Sequence, residues 1–326
     1  MKFSQRYNSV MTRPVTSSVS FAIASKLKDY YQLVKFTLSF TVVFSCVVCY
    51  LLAPNIVGFN WTMILLLFTA GMLITGSANA INQASEKDTD AMMKRTGKRP
   101  VASGRMSQKE ANIFALIAGF VGVFIMYSYF NLASALLSAF SLFFYAYIYT
   151  PLKKISSLAV LAGALPGALP CLIGWVAATN IISPFATVEG TNISNAAGWA
   201  LFGIQFFWQF PHFWAIAWVA HNDYTKAGFK LLPGSGAPTA QTALQTVIYA
   251  LMMIPVGVLP YFFQLCGITS LWIVAAANFF LVVQCVRLYI ARDAGAARRV
   301  MFSSYIYLPV VLLALLADKN YESFIQ

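Results

Sequence analysis

Acidic residues are scarce in this chain: ten Asp and Glu in 326 residues, against 22 Lys and Arg and only two His. Charged residues of both signs make up 10% of the sequence, where a soluble domain carries about 25%. That shortage excludes a water-facing globular surface, and no hydrophilic block is long enough to form a separate soluble domain. The five cysteines (46, 49, 171, 266 and 285) all lie in apolar stretches, which argues against a secreted disulfide framework. Cys46-Val-Val-Cys49 matches a C-x-x-C spacing, but it falls mid-helix with no βαβ context and is read as packing. A net charge of +12 raises the question of nucleic acid. No compact basic domain exists to carry such a footprint.

What the chain has in abundance is apolar sequence: 59% of its residues are hydrophobic and the mean hydropathy is +0.70. Nine apolar runs stand out, at 36–53, 61–82, 111–129, 132–150, 157–178, 198–220, 242–263, 268–290 and 300–317. Each is close to the ~20 residues needed to cross a bilayer. The predicted fold class is an all-α polytopic membrane protein with nine transmembrane helices. Its organisation is a tail at 1–35, a single membrane domain at 36–317 and a short tail at 318–326. Nine crossings put every Lys and Arg except Lys319 on one side. By the positive-inside rule that side is cytoplasmic, with the N-terminus inside and the C-terminus outside. A short mitochondrial presequence is the alternative for the first 30 residues.

The densest chemistry lies where the second run ends. Asn82, Glu86 and Asp90 are spaced i, i+4, i+8, so a continued helix puts them on one face. Such an oxygen-rich face suits Mg2+, which takes a few carboxylates together with substrate phosphate oxygens. Clustered carboxylates repel unless something binds them. Arg95 and Arg99 follow, again four apart and suited to bidentate phosphate recognition, with Lys94 beside them. Taken alone, the basic run from Lys94 to Lys109 serves topology. Combined with the acids, it predicts a site for a metal-bound diphosphate with an apolar tail. Asp88 is out of phase and points away from that face.

Other features are weaker. Asn79, a turn before Asn82, predicts a helix-to-helix hydrogen bond, with membership of the site as the alternative. Ser107 and Glu110 spell a capping box for the third helix. Tyr145, Tyr147 and Tyr149 crowd the end of the fourth. Pro166 and Pro170, with Gly163 and Gly167, predict a kinked fifth helix bordering a cavity. The sixth helix holds Trp208-Gln209-Phe210-Pro211-His212-Phe213-Trp214 and leads into His221-Asn222-Asp223-Tyr224, with Lys226 and Lys230 in the next loop. Polar groups inside a span are costly and usually functional. The two dense stretches lie at corresponding places in helices 1–4 and 5–8, as an internal duplication facing one cavity would have them. His212 and His221 are nine apart, about 180° around one helix, so they cannot clamp one heme as in a b-type cytochrome. A transporter fits the nine helices, but places its polar clusters near the midplane.

The stretches Asn82 to Asp90, Met93 to Pro100, Tyr149 to Lys153, Gly163 to Ala168, Gln209 to Trp214 and Asp223-Tyr224 resemble the UbiA superfamily of intramembrane prenyltransferases. The Arg-Thr-x-x-Arg-Pro and Pro-His-Phe-Trp spellings are similar to its heme-farnesylating branch, and they separate the chain from the quinone-pathway branch that is the nearest rival. The resemblance implies farnesyl diphosphate and heme B as substrates, heme O and diphosphate as products, and Mg2+ held by Asn82, Glu86, Asp90 and Asp223. It further implies diphosphate contacts from Lys94, Arg95, Arg99 and Lys226, and a heme-substrate wall of His212, Trp208 and Trp214. His212 then orients heme through iron or a propionate, or else is a packing histidine. Implied surroundings are the lipid bilayer of a bacterial plasma membrane, with the mitochondrial inner membrane as the alternative, and heme A synthase or terminal-oxidase assembly factors as recipients of product. Gln83 and Glu86 stand where the superfamily usually has Asp, and the second motif keeps one acid, Asp223.

Overall fold

The computed structural model describes residues 15–234 and 236–320, with side chains from residue 23. Among these residues every named element is helical: α1 (Val15–Leu33), α2 (Phe36–Leu52), α3 (Trp61–Ser85), α4 (Lys87–Met92), α5 (Gln108–Tyr129), α6 (Leu132–Phe143), α7 (Thr150–Leu152), α8 (Ala159–Thr179), α9 (Ala196–Val219), α10 (His221–Lys226), α11 (Ala240–Phe262), α12 (Ile268–Ala291) and α13 (Ala294–Ala317). A π-helical turn, Phe144–Tyr149, joins α6 to α7 in one rod. The long helices start and stop close to the predicted apolar runs. α1 is an addition, forming from the segment expected as an N-terminal tail and meeting α2 at a bend of 50°.

Among the described residues seven helices are long and apolar enough to cross a membrane, and up to eight when the bent α1–α2 pair counts as one span. α9 has the length, 24 residues. Its hydropathy is diluted by Gln205, Gln209, Pro211, His212 and four tryptophans, the price of carrying polar chemistry inside a span.

The bundle is organised on α8. In its most apolar window 72% of residues are buried, against 22–44% in the other six spans. α8 packs on α2, α6 and α9, while α9 in turn meets α11 and α13, and α13 returns to α2. Small residues allow this centrality: a Cβ on Gly174 would collide with the backbone carbonyl of Cys46 on α2. Pro170 has no N–H for the Pro166 carbonyl, and Ser141 Oγ donates to it instead at 3.3 Å.

Asn79 behaves as expected: its Nδ2 donates to Ser39 Oγ at 3.1 Å and to the Val34 carbonyl at 3.2 Å. The predicted capping box forms only by half. Ser107 Oγ accepts from the Glu110 backbone N–H at 3.0 Å. The Glu110 carboxylate instead takes Lys26 Nζ and Tyr30 OH, at 2.8–2.9 Å, because a cation on α1 offers more than a backbone amide.

Lys319, the one basic residue expected apart from the others, is buried and bonded. It is 5% exposed, and its Nζ donates to the carbonyls of Leu51, Ala53 and Ile56, each at 2.8 Å. These include the carbonyl end of α2, where a cation is favoured. Burial pulls its pKa down to about 8. Lys319→Ala leaves three carbonyls short of a donor, at about 1–3 kcal/mol each if sealed from water. The expected result is a lower thermal midpoint with turnover unchanged at permissive temperature, read by thermal denaturation and activity on one preparation.

Candidate active site

The first dense stretch does not form one continuous helix. α3 ends at Ser85, Glu86 leaves the helical basin (φ −101°, ψ 16°), and α4 takes over. The ladder nevertheless survives the kink. Glu86 N–H donates to the Asn82 carbonyl at 3.0 Å and Asp90 N–H to the Glu86 carbonyl at 2.7 Å. Asn82, Glu86 and Asp90 therefore stay in step, and all three are buried. Asp88 is exposed, as its phase requires.

Each of these side chains is held by a different cation. Lys35, at the α1–α2 bend, donates to Asn82 Oδ1 at 3.1 Å. Lys153, just past α7, stands 2.6 Å from Glu86 Oε1. That contact balances charge without satisfying the geometry of a hydrogen bond, so Oε1 remains a buried acceptor with no donor. Arg99 Nη1 reaches both oxygens of Asp90, at 2.9 and 2.7 Å. The charges of Arg99, Lys153, Glu86 and Asp90 all act on Lys35, so this is one cluster. Lys153 and Arg99 match the two carboxylates in charge. Burial, with the Arg99 and Lys153 charges beside it, holds the Lys35 ammonium well below its ordinary pKa, so an arriving anion would favour its charged form.

The π-helical turn shapes one wall. Such turns are rare and gather at functional sites. Here it sends Tyr147 out, at 59% exposure, and turns Tyr145 and Tyr149 inward with ring centroids 5.1 Å apart. Lys153 Nζ sits 4.9 Å over the Tyr149 ring. Asn82 Nδ2 donates weakly to Thr150 Oγ1 at 3.4 Å. Gly163 makes room, since a Cβ there would lie 2.7 Å from Tyr149 Cε2. Gly163→Ala must push Tyr149 off Lys153. Overpacking of this kind costs about 1–3 kcal/mol, and we expect a raised KM for the anionic substrate with the fold intact, checked by steady-state kinetics and thermal denaturation together.

The second stretch repeats the first in shape. α9 ends at Val219, Ala220 takes φ −96° and ψ 16°, and α10 follows, matching the kink at Glu86 to within a few degrees. Counting from each kink, Tyr224 stands where Asp90 stands. The equivalence extends to partners: Asp90 holds Arg99, and Tyr224 OH accepts from Arg95 Nη2 at 3.0 Å, with the guanidinium 5.4 Å over the same ring. Lys153 makes a second connection, standing 5.4 Å over Phe229 while its carbonyl accepts from Lys230 N–H at 2.8 Å. The two kinks thus face each other across shared residues.

Beyond Tyr224 the wall is aromatic. Trp208 stacks on His212 with centroids 4.5 Å apart, and Tyr305 meets the His212 ring edge-on at 5.0 Å. Tyr305 also lies within the electrostatic reach of Arg95 and Tyr224, so the His212 patch adjoins the charged cluster. Trp214 does not join it. Two residues further round α9, it packs with Phe210 and Tyr249 in a separate apolar cluster.

Of the remaining predicted residues, Asp223 is half-buried, and Lys94 and Lys226 are exposed. None of these three side chains makes a hydrogen bond or ion pair among the described residues. Among those residues, no three His, Cys, Asp or Glu side chains stand close enough to hold a metal by themselves. That suits Mg2+ carried in on phosphate oxygens, which needs only one or two protein carboxylates. Glu86, with its donorless oxygen, and Asp90 are the residues fitted to it. Gln83, which replaces an expected acid, holds helices together, its Nε2 donating to the carbonyls of Gln32 and Leu33.

Several members of the cluster escaped sequence reasoning. Lys35 looks like a topology charge in a linear chain, and Phe229, Ser304 and Tyr305 carry no signal of their own. Tyr149, Thr150, Lys153 and Tyr224 sit inside quoted motifs, but nothing in the spelling gives them a role.

Known proteins share this fold. The sequence profile of the UbiA prenyltransferase family matches residues 42–306. A protein from Cytophaga hutchinsonii named protoheme IX farnesyltransferase is 41% identical over 302 residues, which is 92% of this chain and 100% of that one. Among solved structures, a digeranylgeranylglyceryl phosphate synthase superposes with a TM-score of 0.72 at 18% identity, over 90% of this chain and 98% of its own. A UbiA homologue from Archaeoglobus fulgidus bound to GPP and Mg2+ gives 0.59 at 13%, over 88% and 99%. At those identities the structures speak for the fold, and the sequence matches speak for the family. This chain belongs to the UbiA prenyltransferase family.

Proposed function

We propose that the protein transfers the farnesyl group of farnesyl diphosphate to a vinyl group of heme B, with addition of water, giving heme O and diphosphate. The observation that carries this reading is the buried cluster of Lys35, Lys153 and Arg99 around Asn82, Glu86 and Asp90, joined through Arg95 and Tyr224 to the His212 wall. The name of the Cytophaga relative supplies the substrate pair.

Catalysis here rests on charge that develops as a bond breaks. Cleavage of the allylic C–O bond leaves its electron pair on the diphosphate. Lys153 is buried and Arg99 and Lys35 are half-buried beside the same carboxylates and amide, so they stabilise that charge with little reorganisation. Arg95 adds a guanidinium from the Tyr224 side, and Lys94 and Lys226 attract the anion from the rim. Glu86 and Asp90, with Asn82, would hold Mg2+, which supplies Lewis-acid neutralisation of the leaving group, and Asp223 would approach the ion from α10. When diphosphate arrives, Lys153 and Arg99 trade part of their carboxylate contact for phosphate contact. The farnesyl cation is then captured by the outer vinyl carbon of heme. The inner carbon takes hydroxide from water, whose other proton leaves to solvent. Aromatic faces, Trp208 foremost, shield the cation from early hydrolysis. Trp214 supports the wall from behind, through Phe210.

In this reading the membrane domain spans residues 36–317 between short tails and crosses nine times, α2 and α9 included. Its charged end faces the cytoplasm of a bacterial cell. Expression in a host that lacks heme O tests the function: extracted pigment should gain the mass of a farnesyl group plus a hydroxyl. An unchanged heme B pool, with label from isoprenoid diphosphate appearing in a phenolic acid, would reassign the protein to the quinone-pathway branch.

A further inference from the structure

Trp208 and His212 form a stacked pair on α9, and both are tied to one residue of α13, the fully buried Ser304. The Ser304 carbonyl accepts from Trp208 Nε1–H at 2.8 Å. Ser304 Oγ lies 2.8 Å from His212 Nδ1 and 2.7 Å from the Met301 carbonyl oxygen. A serine hydroxyl has one hydrogen and a carbonyl oxygen has none. Two oxygens 2.7 Å apart need a hydrogen between them, so the hydroxyl hydrogen points at Met301. The contact with His212 must then run the other way, with Nδ1–H donating to Oγ. That fixes the neutral ring as the Nδ1–H tautomer and leaves Nε2 with a bare lone pair.

Nε2 has no hydrogen-bond partner among the described residues. Nor is it one of their sealed, unsatisfied polar atoms, which are Gln83 Oε1, Glu86 Oε1 and Gln284 Oε1. It therefore opens onto space, in a ring that Tyr305 meets edge-on. A bare imidazole nitrogen cannot donate to a carboxylate, but it is the form that ligates a metal. A histidine that binds metal through one nitrogen commonly gives the proton on the other to an oxygen acceptor, which fixes tautomer and ring orientation.

We propose that Ser304 is the positioning residue that sets His212 in its Nδ1–H form, so that Nε2 takes the iron of the heme substrate and not a propionate. This rests on the reading of heme B as the acceptor. Two separable measurements test it. In full-length protein with nitrogen-labelled histidine, His221→Gln leaves a single imidazole. Its correlation pattern above neutral pH should show hydrogen on Nδ1 and none on Nε2. Ser304→Ala should mix the tautomers or reverse them, and Ser304→Thr, which keeps the hydroxyl, should restore the original pattern. Titration with ferric heme B, followed in the Soret band, should show affinity about 10- to 100-fold weaker in Ser304→Ala and near wild type in Ser304→Thr, with KM for farnesyl diphosphate unmoved. A wild-type ring protonated on Nε2, or a Ser304→Ala ring that keeps the original pattern, overturns the role of Ser304 whatever heme does. The expected tautomer together with heme affinity untouched by either His212→Ala or Ser304→Ala overturns iron ligation and the heme-facing wall.

Discussion

Glu86→Gln should lower the rate of diphosphate release by about a hundred- to a thousandfold, the usual loss when one preorganised charge contact to a transition state is removed. The substitution keeps volume and removes only charge. It also strands Lys153, which is 7% exposed, and a buried ion that loses its partner costs about 3–5 kcal/mol. A slow variant could then be merely a poorly folded one. Glu86→Gln combined with Lys153→Met separates the two, because it removes the stranded ammonium as well as the carboxylate. The double variant should regain thermal stability and stay slow. Recovery of turnover along with stability would mean that Glu86 serves only to neutralise Lys153. Both quantities are readable in nanodiscs, by coupled diphosphate detection and by thermal denaturation.

Arg99 should divide charge from geometry. A single nitrogen, Nη1, serves both oxygens of Asp90, and Nη2 and Nε make no hydrogen bond among the described residues. The guanidinium thus has an edge left for phosphate. Arg99→Ala should cost both functions: stability, since Asp90 is 1% exposed and would be left buried without a cation, and affinity for farnesyl diphosphate. Arg99→Lys can hold Asp90 as a point charge but has no second edge to offer. We expect it to recover most of the stability while KM for farnesyl diphosphate stays raised by about tenfold or more. Equal recovery of both would show that Arg99 works through Asp90 alone. Isothermal titration with a non-hydrolysable diphosphate analogue, paired with melting curves, reads the split.

Much of the scaffold was legible because hydropathy over ~20-residue windows is a strong signal. α3, the α6–α7 rod, α8 and α12 begin and end within three residues of the runs read from sequence. Asn82, Glu86 and Asp90 were legible as a set because i, i+4 spacing outlasts the kink that interrupts α3. Their partners were hidden. Lys35 reaches Asn82 from 47 residues away, Lys153 reaches Glu86 from further still, and no local pattern encodes such distances. The positive-inside rule explained both lysines so well that nothing prompted a second role. The Glu110 box failed for a related reason: the local rule named a backbone amide, and a distant helix supplied Lys26. The resemblance groups Trp214 with His212, although residues two apart on a helix face nearly opposite ways. The likeness of the two kinks, at Glu86 and Ala220, lies in backbone dihedrals that the spelling of the halves does not reveal.

The central claim is that α3–α4 and α9–α10 close on one chamber, and a structure with magnesium and farnesyl thiodiphosphate tests it most directly. Both phosphorus atoms should lie between Glu86, Asp90 and Arg99 on one side and Arg95 and Tyr224 on the other, with the farnesyl chain running toward Trp208 and His212. Diphosphate held by one kink alone, with the prenyl chain leading away from α9, would contradict it.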